Sequence, residues 1–261
     1  PNLKGIFVRV LLGMVDPSGG AEPAALDLND HLDYQSASVP PAVRERSIGD
    51  PRAILWRPDG SQAFVAGMGS NNLVVLGPSG TRVGGGAPIE VGEGPTGLAI
   101  DEDANRLYVL NRFEATISVV DLGALAEVAT VDFHDSTPAA IRNGRRHLYD
   151  THLNSGLGQA ACASCHVDAR MDRLSWDLGD PSGVVEENDA NCLGSCSDWH
   201  PMKGPMLTQT FQDIIGKEPH HWRGDRTGIE RFSHAFVGLQ ARDVEPTPAE
   251  MQEFEDFLAT I

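Results

Sequence analysis

The residues best suited to do chemistry are two cysteines and a histidine in the stretch "ACASCHVD". Cys162, Cys165 and His166 form the pattern C-x-x-C-H, which is the attachment signature of haem c. In such a site both thiols add to the vinyl groups of the haem, and the adjacent histidine ligates the iron from one face. Two intervening residues let both sulfurs reach one porphyrin edge. The motif therefore predicts one covalent haem.

The same two cysteines could instead form a redox-active dithiol or half of a zinc site. A dithiol of that kind is typical of a thioredoxin-like βαβ unit, and zinc requires a second pair of ligands. Neither context accompanies the motif, which favours haem. Covalent haem of this type predicts a location outside the cytoplasm, in the bacterial periplasm, at the cell surface or in the medium.

A second protein ligand for the iron could come from the segment "WHPMKGPMLTQT". This segment holds His200, Met202 and Met206. Both residue types serve as haem ligands, and methionine tends to raise the reduction potential. A methionine can also lie in a core and a histidine on the surface. The sequence leaves the sixth ligand open among these three residues.

The segment "KEPHHWRGDR" gathers side chains that suit the edge of a haem. Arginine binds carboxylates such as the haem propionates with two parallel hydrogen bonds, and tryptophan can pack on the ring edge. A solvated turn held by ion pairs is the alternative. The expected haem contacts from this segment are His221, Trp222, Arg223 and Arg226.

The other two cysteines, Cys192 and Cys196, are separated by three residues and are not followed by histidine, so they make a poor haem site. In an oxidising compartment we expect a disulfide across this short loop. Free thiols or a metal site are the alternatives.

The stretch "ALDLNDHLDY" is rich enough in oxygen ligands for a Ca²⁺ ion. It lacks the glycine and the distal glutamate of an EF-hand loop, and a solvated loop is the alternative. The candidate ligands are Asp27, Asn29, Asp30, His31 and Asp33.

The first half of the chain contains an internal repeat, in which residues 49–91 match residues 92–133 at an offset of 44. Each unit consists of short apolar runs broken by turn residues, which predicts four antiparallel strands. A period of this length with four strands is typical of a β-propeller blade. Two accidental hairpins are the alternative. Two blades cannot close a ring, so we expect blades, and a longer protein, beyond this chain.

Helical patterns follow the repeat. Thr137 and Pro138 introduce a helix that leads to the cysteine motif, and Thr247, Pro248 and Glu250 form the capping signals of a terminal helix. Shorter helices are predicted near residues 208–215 and 228–237. The predicted fold is multidomain, with an incomplete all-β propeller over residues 1–134 and a mainly α-helical cytochrome c domain over residues 135–261.

The charge balance narrows the range of partners. The chain carries 37 acidic and 20 basic residues, for a formal charge of −17. A negative field disfavours nucleic acid and anionic lipid and favours basic partners. No run of about eighteen apolar residues is present, so no membrane span is predicted.

Both halves of the sequence resemble known families. Residues 137–261 resemble the bacterial di-haem cytochrome c peroxidase and MauG-like superfamily, through "CASCH", "HPMKGPMLTQT" and "HHWRGDR" in the order and approximate spacing of its peroxidatic-haem domain. The N-terminal half resembles YVTN-type propeller repeats, and fusions of the two occur in bacterial secreted proteins.

The resemblance to the peroxidases implies roles for individual residues. Cys162 and Cys165 match the thioether cysteines and His166 the proximal ligand. His200 matches a second histidine that leaves the haem on activation, and Trp222 matches a tryptophan between the two haems, so these two would be the catalytic residues. Only one C-x-x-C-H is present, which implies that a second haem domain would lie downstream.

Three functions are consistent with these observations. The first is an extracytoplasmic c-type cytochrome that transfers electrons to a redox protein, which could be another cytochrome, with the propeller as docking surface. The second is a peroxidase or MauG-like oxidoreductase acting on hydrogen peroxide, with His200, His220 or His221 as acid or base. The third is a haem-containing scaffold subunit of a larger redox assembly. We favour the first.

Overall fold

The computed structural model describes residues 8–19, 24–185 and 200–261. The first elements within the described residues are a two-stranded antiparallel sheet and a short helix. These are β1 (Leu11–Met14), β2 (Ala24–Asp27) and α1 (Pro41–Arg44).

Two four-stranded antiparallel sheets follow. Blade 1 consists of β3 (Pro51–Trp56), β4 (Ala63–Gly67), β5 (Asn72–Leu76) and β6 (Ile89–Glu90). Blade 2 consists of β7 (Pro95–Asp101), β8 (Arg106–Asn111), β9 (Thr116–Asp121) and β10 (Ala126–Asp132). In both sheets each strand pairs with the next one in sequence, which confirms the two four-stranded units predicted from the repeat.

The turns between the central strands follow the repeat as well. Asn71, between β4 and β5, has φ of +55°, a left-handed conformation that asparagine tolerates. Ala115 takes the equivalent position in blade 2, with φ of +64°. An alanine bears more strain there, so the backbone path of the repeat is retained even where the residue type does not favour it.

The two blades pack face to face around one apolar core. Blade 1 contributes Phe64, Ala66, Leu73 and Val75, and blade 2 contributes Leu107, Val109, Val120 and Leu122. Burying a valine, leucine or phenylalanine side chain stabilises a fold by about 1.5–3 kcal/mol relative to leaving that side chain exposed. The described residues contain no third four-stranded sheet, so the ring of a propeller is not closed within them.

The N-terminal segment covers the opposite face of blade 1. Val10, Leu28 and Ile48 are buried against Val65 and Val74. The strand-like pattern before residue 50 therefore forms a hairpin that caps blade 1.

Among the described residues after blade 2, the remaining elements are four α-helices, three short 3₁₀ segments and one two-stranded antiparallel sheet. The α-helices and strands are α2 (Ala139–Tyr149), α3 (Thr151–Asn154), β11 (Ser175–Trp176), β12 (Met206–Leu207), α4 (Ser233–Gly238) and α5 (Pro248–Leu258). Helix α2 crosses α5 at Gly144, where a Cβ atom would overlap the backbone oxygen of Glu253. The two helices share a core with Leu148 and Phe254.

The prediction of a mainly α-helical cytochrome c domain over residues 135–261 is wrong. Within the described part of that region only α2 and α5 reach eleven residues, and most of the chain between α3 and α4 is loop. The helix predicted near residues 208–215 is absent. Asp213 in this stretch has φ of +57°, a left-handed conformation that interrupts a continuous helical ladder.

The capping signals of α5 are confirmed. The Thr247 hydroxyl accepts a hydrogen bond from the Glu250 backbone N–H, and the Glu250 carboxylate accepts one from the Thr247 N–H at 2.7 Å. Helix α2 begins at Ala139 without a side-chain cap. Among the described residues, no helix is long and apolar enough to cross a membrane.

Candidate functional site

A single 3₁₀ turn over Cys162–Ser164 organises the cysteine motif. The backbone N–H groups of Cys165 and His166 both donate to the carbonyl oxygen of Cys162, at 3.2 and 2.9 Å. The Ser164 hydroxyl accepts from the N–H of Ala161 at 3.0 Å. The turn therefore holds the two cysteines and the histidine close together.

The imidazole of His166 is fixed in one orientation and one tautomer. Its Nδ1 donates to the backbone oxygen of Gln209 at 2.7 Å, since a carbonyl can only accept. Its ring stacks on Phe211, with centroids 3.8 Å apart and planes inclined by 11°. In the part of the chain that the structure describes, Nε2 makes no hydrogen bond and keeps its lone pair.

Burial lowers the pKa of His166 to about 4. The imidazole is therefore neutral at physiological pH. A neutral histidine whose other ring nitrogen donates to a backbone carbonyl is the usual arrangement of a metal ligand.

The two thiols are free and favour their uncharged form. Burial raises the pKa of Cys162 to about 11 and that of Cys165 to about 12. Redox-active dithiols have lowered thiol pKa values, so this environment does not suit a thioredoxin-like role. The Gln240 side-chain amide donates to the Cys162 sulfur at 3.2 Å, and its own oxygen is buried without a partner among the described residues.

The extended segment 206–211 brings the partners of His166 into place. It begins at Met206, which pairs with Trp176 in the two-stranded β11–β12 sheet, and it ends where the Phe211 N–H donates to the oxygen of Ala169 at 2.9 Å. Between these points, the segment carries the Gln209 carbonyl and the Phe211 ring to the histidine.

The three candidates for the sixth ligand lie in two places. Met206 lies on the same extended segment as Gln209, whereas His200 and Met202 lie on a separate turn. Arg223 holds that turn by donating to their backbone oxygens, at 2.9 and 2.7 Å. Which of them ligates iron stays a prediction.

The segment around Trp222 forms a closed loop. The His220 N–H donates to the oxygen of Arg226 at 2.7 Å, and the Asp225 carboxylate pairs with both His221 and Arg226 at 3.0 Å. Trp222 donates to the backbone oxygen of Leu207 at 2.8 Å, which attaches the loop to the extended segment. Haem contacts by this loop remain predicted.

Large apolar side chains near the motif are exposed. This apolar patch consists of side chains that are each at least 45 % exposed, namely Met171, Leu174, Met202, Leu207 and Trp222. Exposed apolar clusters of this kind mark sites for a ligand or a partner. Leu174 directly precedes β11, and Leu207 lies in β12, at the start of the segment that carries Gln209 and Phe211.

Sequence reasoning missed three residues of this site. Gln209 acts through its backbone oxygen, so its side chain gives no signal. Phe211 and Gln240 lie 45 and 74 positions beyond His166, and only the fold brings them to the motif. Aromatic and amide residues at such separations carry no recognisable spacing.

The predicted calcium loop uses its oxygens within the protein. The Asn29 side-chain oxygen accepts from the Ile48 N–H and from Arg82, and Asp27 accepts from the Tyr34 hydroxyl at 2.7 Å. Among the described residues no group of three or more His, Cys, Asp or Glu side chains is arranged to hold a metal ion. We do not propose calcium here. Cys192 and Cys196 lie outside the described residues, so their disulfide stays a prediction.

Comparisons with known proteins found no matching family model and no matching curated protein. Solved structures with partial similarity include hydrazine synthase of Kuenenia stuttgartiensis (24 % identity, 34 % of this chain and 25 % of that one, TM-score 0.32). Another is the periplasmic gluconolactonase PpgL of Pseudomonas aeruginosa (17 % identity, 50 % of this chain and 37 % of that one, TM-score 0.34). A third is the Cps50 (Swd1) β-propeller domain of Myceliophteria thermophila (11 % identity, 34 % of this chain and 26 % of that one, TM-score 0.29). The chain spans between 25 and 37 % of the length of these structures.

Proposed function

We propose that this chain is an extracytoplasmic c-type cytochrome that carries one covalent haem and transfers electrons. Cys162 and Cys165 attach the haem, and His166 ligates the iron. The observation that carries the proposal is the 2.7 Å hydrogen bond from Nδ1 of His166 to the Gln209 oxygen, which directs the proton away from Nε2. When bound, the haem supplies a reversible one-electron change at iron.

The environment of the two sulfurs supports attachment. A thioether is uncharged, and the burial that raises both thiol pKa values favours uncharged sulfur. The Gln240 amide offers a donor to the sulfur of Cys162. A metal bound by thiolates requires deprotonated cysteines. The uncharged sulfurs, the neutral imidazole of His166 and the Gln240 amide therefore suit an attached haem better than such a metal.

The apolar patch supports the location of the ring. A porphyrin presents two large apolar faces, and side chains such as Leu174 and Trp222 would lose their exposure beneath it. Arg223 and Arg226 lie on the adjoining loop, and guanidinium groups are suited to bind carboxylates such as the haem propionates. These contacts follow from the proposal and are not needed for it.

The acidic surface supports the class of partner. A formal charge of −17 attracts a basic redox protein and raises the rate of encounter at low ionic strength. The two blades would provide the docking surface. A second cytochrome in the periplasm or at the cell surface meets this description.

The test of attachment is production of the full chain in a bacterium that has the haem c maturation machinery. After denaturing electrophoresis the chain should retain one haem, with the corresponding gain in mass. Cys162→Ser and Cys165→Ser should each weaken that retention, and the double variant should abolish it. The matched control is Cys192→Ser with Cys196→Ser, which should keep the haem. A wild-type chain without covalent haem would overturn the proposal.

The test of electron transfer is the optical and EPR spectrum with and without cyanide. A low-spin six-coordinate signal that cyanide does not change supports electron transfer, because both axial positions are then filled. A high-spin signal that shifts with cyanide shows an open iron. That result would replace electron transfer with a peroxidase-like reaction on hydrogen peroxide.

A further inference from the structure

A cleft lies where the loops of blade 2 meet helix α2. It has a volume of about 220 Å³, which is smaller than the pockets of about 300–1,000 Å³ that hold drug-sized ligands. The cleft therefore has room for a small molecule only. The side chains that line it are Glu93, Phe113, Glu114, Arg142, Asn143 and Arg146.

A fixed arginine holds the two sides of this cleft together. The Arg145 guanidinium lies over the Phe113 ring, 4.1 Å from the ring centroid, and donates to the Phe113 backbone oxygen at 2.6 Å. The Phe113 ring in turn packs against the Tyr149 ring, with centroids 5.1 Å apart. These contacts join the β8–β9 turn to α2, so the cleft is a built feature of the fold.

The cleft has a positive wall and a negative wall. Arg142 and Arg146 form the positive wall, because residues four positions apart lie on the same side of a helix. Glu93, on the β6–β7 loop, and Glu114, in the β8–β9 turn, form the negative wall. Within the part of the chain that the structure describes, no ion pair joins one wall to the other. Opposite charges therefore line one small space without neutralising each other directly.

The charged groups of both walls have few partners in the protein. Among the described residues the Arg146 and Glu93 side chains form no hydrogen bond or ion pair, and the ion pair of Arg142 with Asp135 is long, at 4.0 Å. Like charges four positions apart destabilise a helix, so Arg142 and Arg146 do not stabilise each other. Their guanidinium groups and the Glu93 carboxylate are available to a ligand.

Glu114 positions the loop that carries Glu93. Its carboxylate accepts from the Glu93 backbone N–H at 3.1 Å and from the Thr116 hydroxyl at 3.4 Å. The Glu93 carboxylate in turn lies close to α2. Burial lowers the pKa of Arg145, and the neighbouring Asp135 and Glu93 carboxylates oppose that shift. The negative charge of Glu93 is thus held near the positive wall without touching it.

We propose that this cleft binds the zwitterion of a small α-amino acid. The carboxylate of the amino acid accepts hydrogen bonds from Arg142 and Arg146, since guanidinium groups bind carboxylates with two parallel bonds. Its ammonium group donates to the Glu93 carboxylate. A purely anionic ligand would face the glutamates and a purely cationic one the arginines, so a ligand with both charges fits best. The site does not involve the haem, so it can fail while the proposed function stands.

Isothermal titration calorimetry of the full chain with glycine, alanine and valine tests the proposal. Two analogues of alanine separate its charges, because propionate lacks the ammonium group and ethylamine lacks the carboxylate. We expect at least one of the amino acids to bind at one site per chain. Each analogue should bind at least about tenfold more weakly than alanine, since one charged wall is then left without a partner.

Two variants remove one charge from each wall. Arg146→Gln and Glu93→Gln should each weaken amino-acid binding by at least about tenfold, and circular dichroism should show an unchanged fold because both side chains are exposed. Arg170→Gln is the matched control, since this arginine is exposed at the end of the turn that follows His166, and it should leave the affinity unchanged. Failure of all three amino acids to bind, equal binding of propionate or ethylamine, or an equal loss in Arg170→Gln would each overturn the proposal.

Discussion

Arg52 of blade 1 forms an ion pair with Asp168, two residues beyond the histidine of the motif. Its Nη2 lies 3.0 Å from the Asp168 Oδ1, and the same guanidinium donates to both oxygens of Asp50, at 2.8 and 3.1 Å. Asp168 has φ of +52°, a conformation that residues with a Cβ rarely adopt. The sheet therefore helps to hold the turn that follows His166.

Removing this arginine should weaken the fold. Arg52→Ala leaves the Asp50 carboxylate, only 17 % exposed, without its cation. The Asp168 pair contributes less, because that side chain is 64 % exposed. We expect the free energy of unfolding to fall by about 1–3 kcal/mol, measured by urea denaturation. Arg112→Ala, in the exposed β8–β9 turn, is the control and should change it by less than about 0.5 kcal/mol. If the two substitutions lowered the free energy of unfolding equally, the ion pairs of Arg52 would not stabilise the fold.

The crossing of α2 and α5 should depend on Gly144. A Cβ at this position would overlap the backbone oxygen of Glu253 and lie 2.6 Å from the Cβ of Phe257. Gly144→Ala should therefore lower the free energy of unfolding by about 3 kcal/mol. Gly238→Ala in α4 is the matched control, since nothing lies within 4 Å of its Cβ, and it should be neutral or stabilise by up to about 1 kcal/mol. Thermal unfolding of both variants distinguishes them, and a stable Gly144→Ala would show that the helices can separate.

Local patterns in the sequence predicted the sheets and the terminal helix. The offset of 44 makes Tyr108 the equivalent of Phe64, and these two residues pair in the same register, Phe64 with Val75 and Tyr108 with Val119. The Thr247–Glu250 capping box formed because its hydrogen bonds are made within one turn. Short-range signals of this kind survive folding because few distant residues can override them.

The second half could not be predicted in the same way. The resemblance of its motifs suggested a mainly helical domain, but motifs fix chemistry rather than the elements between them. The described residues of 168–185 and 200–228 lie mostly in irregular loops, and the hydrogen bond between His166 and Gln209 spans 43 residues. Contacts over such separations depend on the path of the loops, which composition and periodicity do not encode.

The stability of the chain produced without haem should fall as the pH decreases from about 6.5 to about 4. In this window the unfolded chain binds a proton at His166, with the ordinary pKa of 6.5, whereas burial keeps the folded pKa at about 4. As the pH falls, His166 is therefore protonated in the unfolded state before it is protonated in the folded state. Across this window the free energy of unfolding should decrease by about 3 kcal/mol. Above pH 6.5 His166 is neutral in both states, so the chain keeps this part of its stability in full.

His166→Asn isolates that contribution. The asparagine amide can keep the hydrogen bond to the Gln209 oxygen, but it does not titrate. The difference in unfolding free energy between wild type and variant should shrink as the pH falls through the window. Three other histidines with lowered pKa values contribute equally to both proteins, namely His31, His147 and His152. A difference that is constant with pH would show that His166 is not buried as described.

The thiols of the chain without haem should react slowly with iodoacetamide. With the pKa of Cys162 raised from 9.0 to about 11 by burial, the thiolate fraction at pH 8 is about a hundredfold lower than for an ordinary cysteine. Alkylation of Cys162 and Cys165, measured in a Cys192→Ser and Cys196→Ser background, should be slower by at least that factor than in urea. The rate should rise with pH up to about 11. An apparent pKa below 9 would instead indicate an activated dithiol, and the chemistry of the motif would then be thiol exchange rather than attachment of a haem.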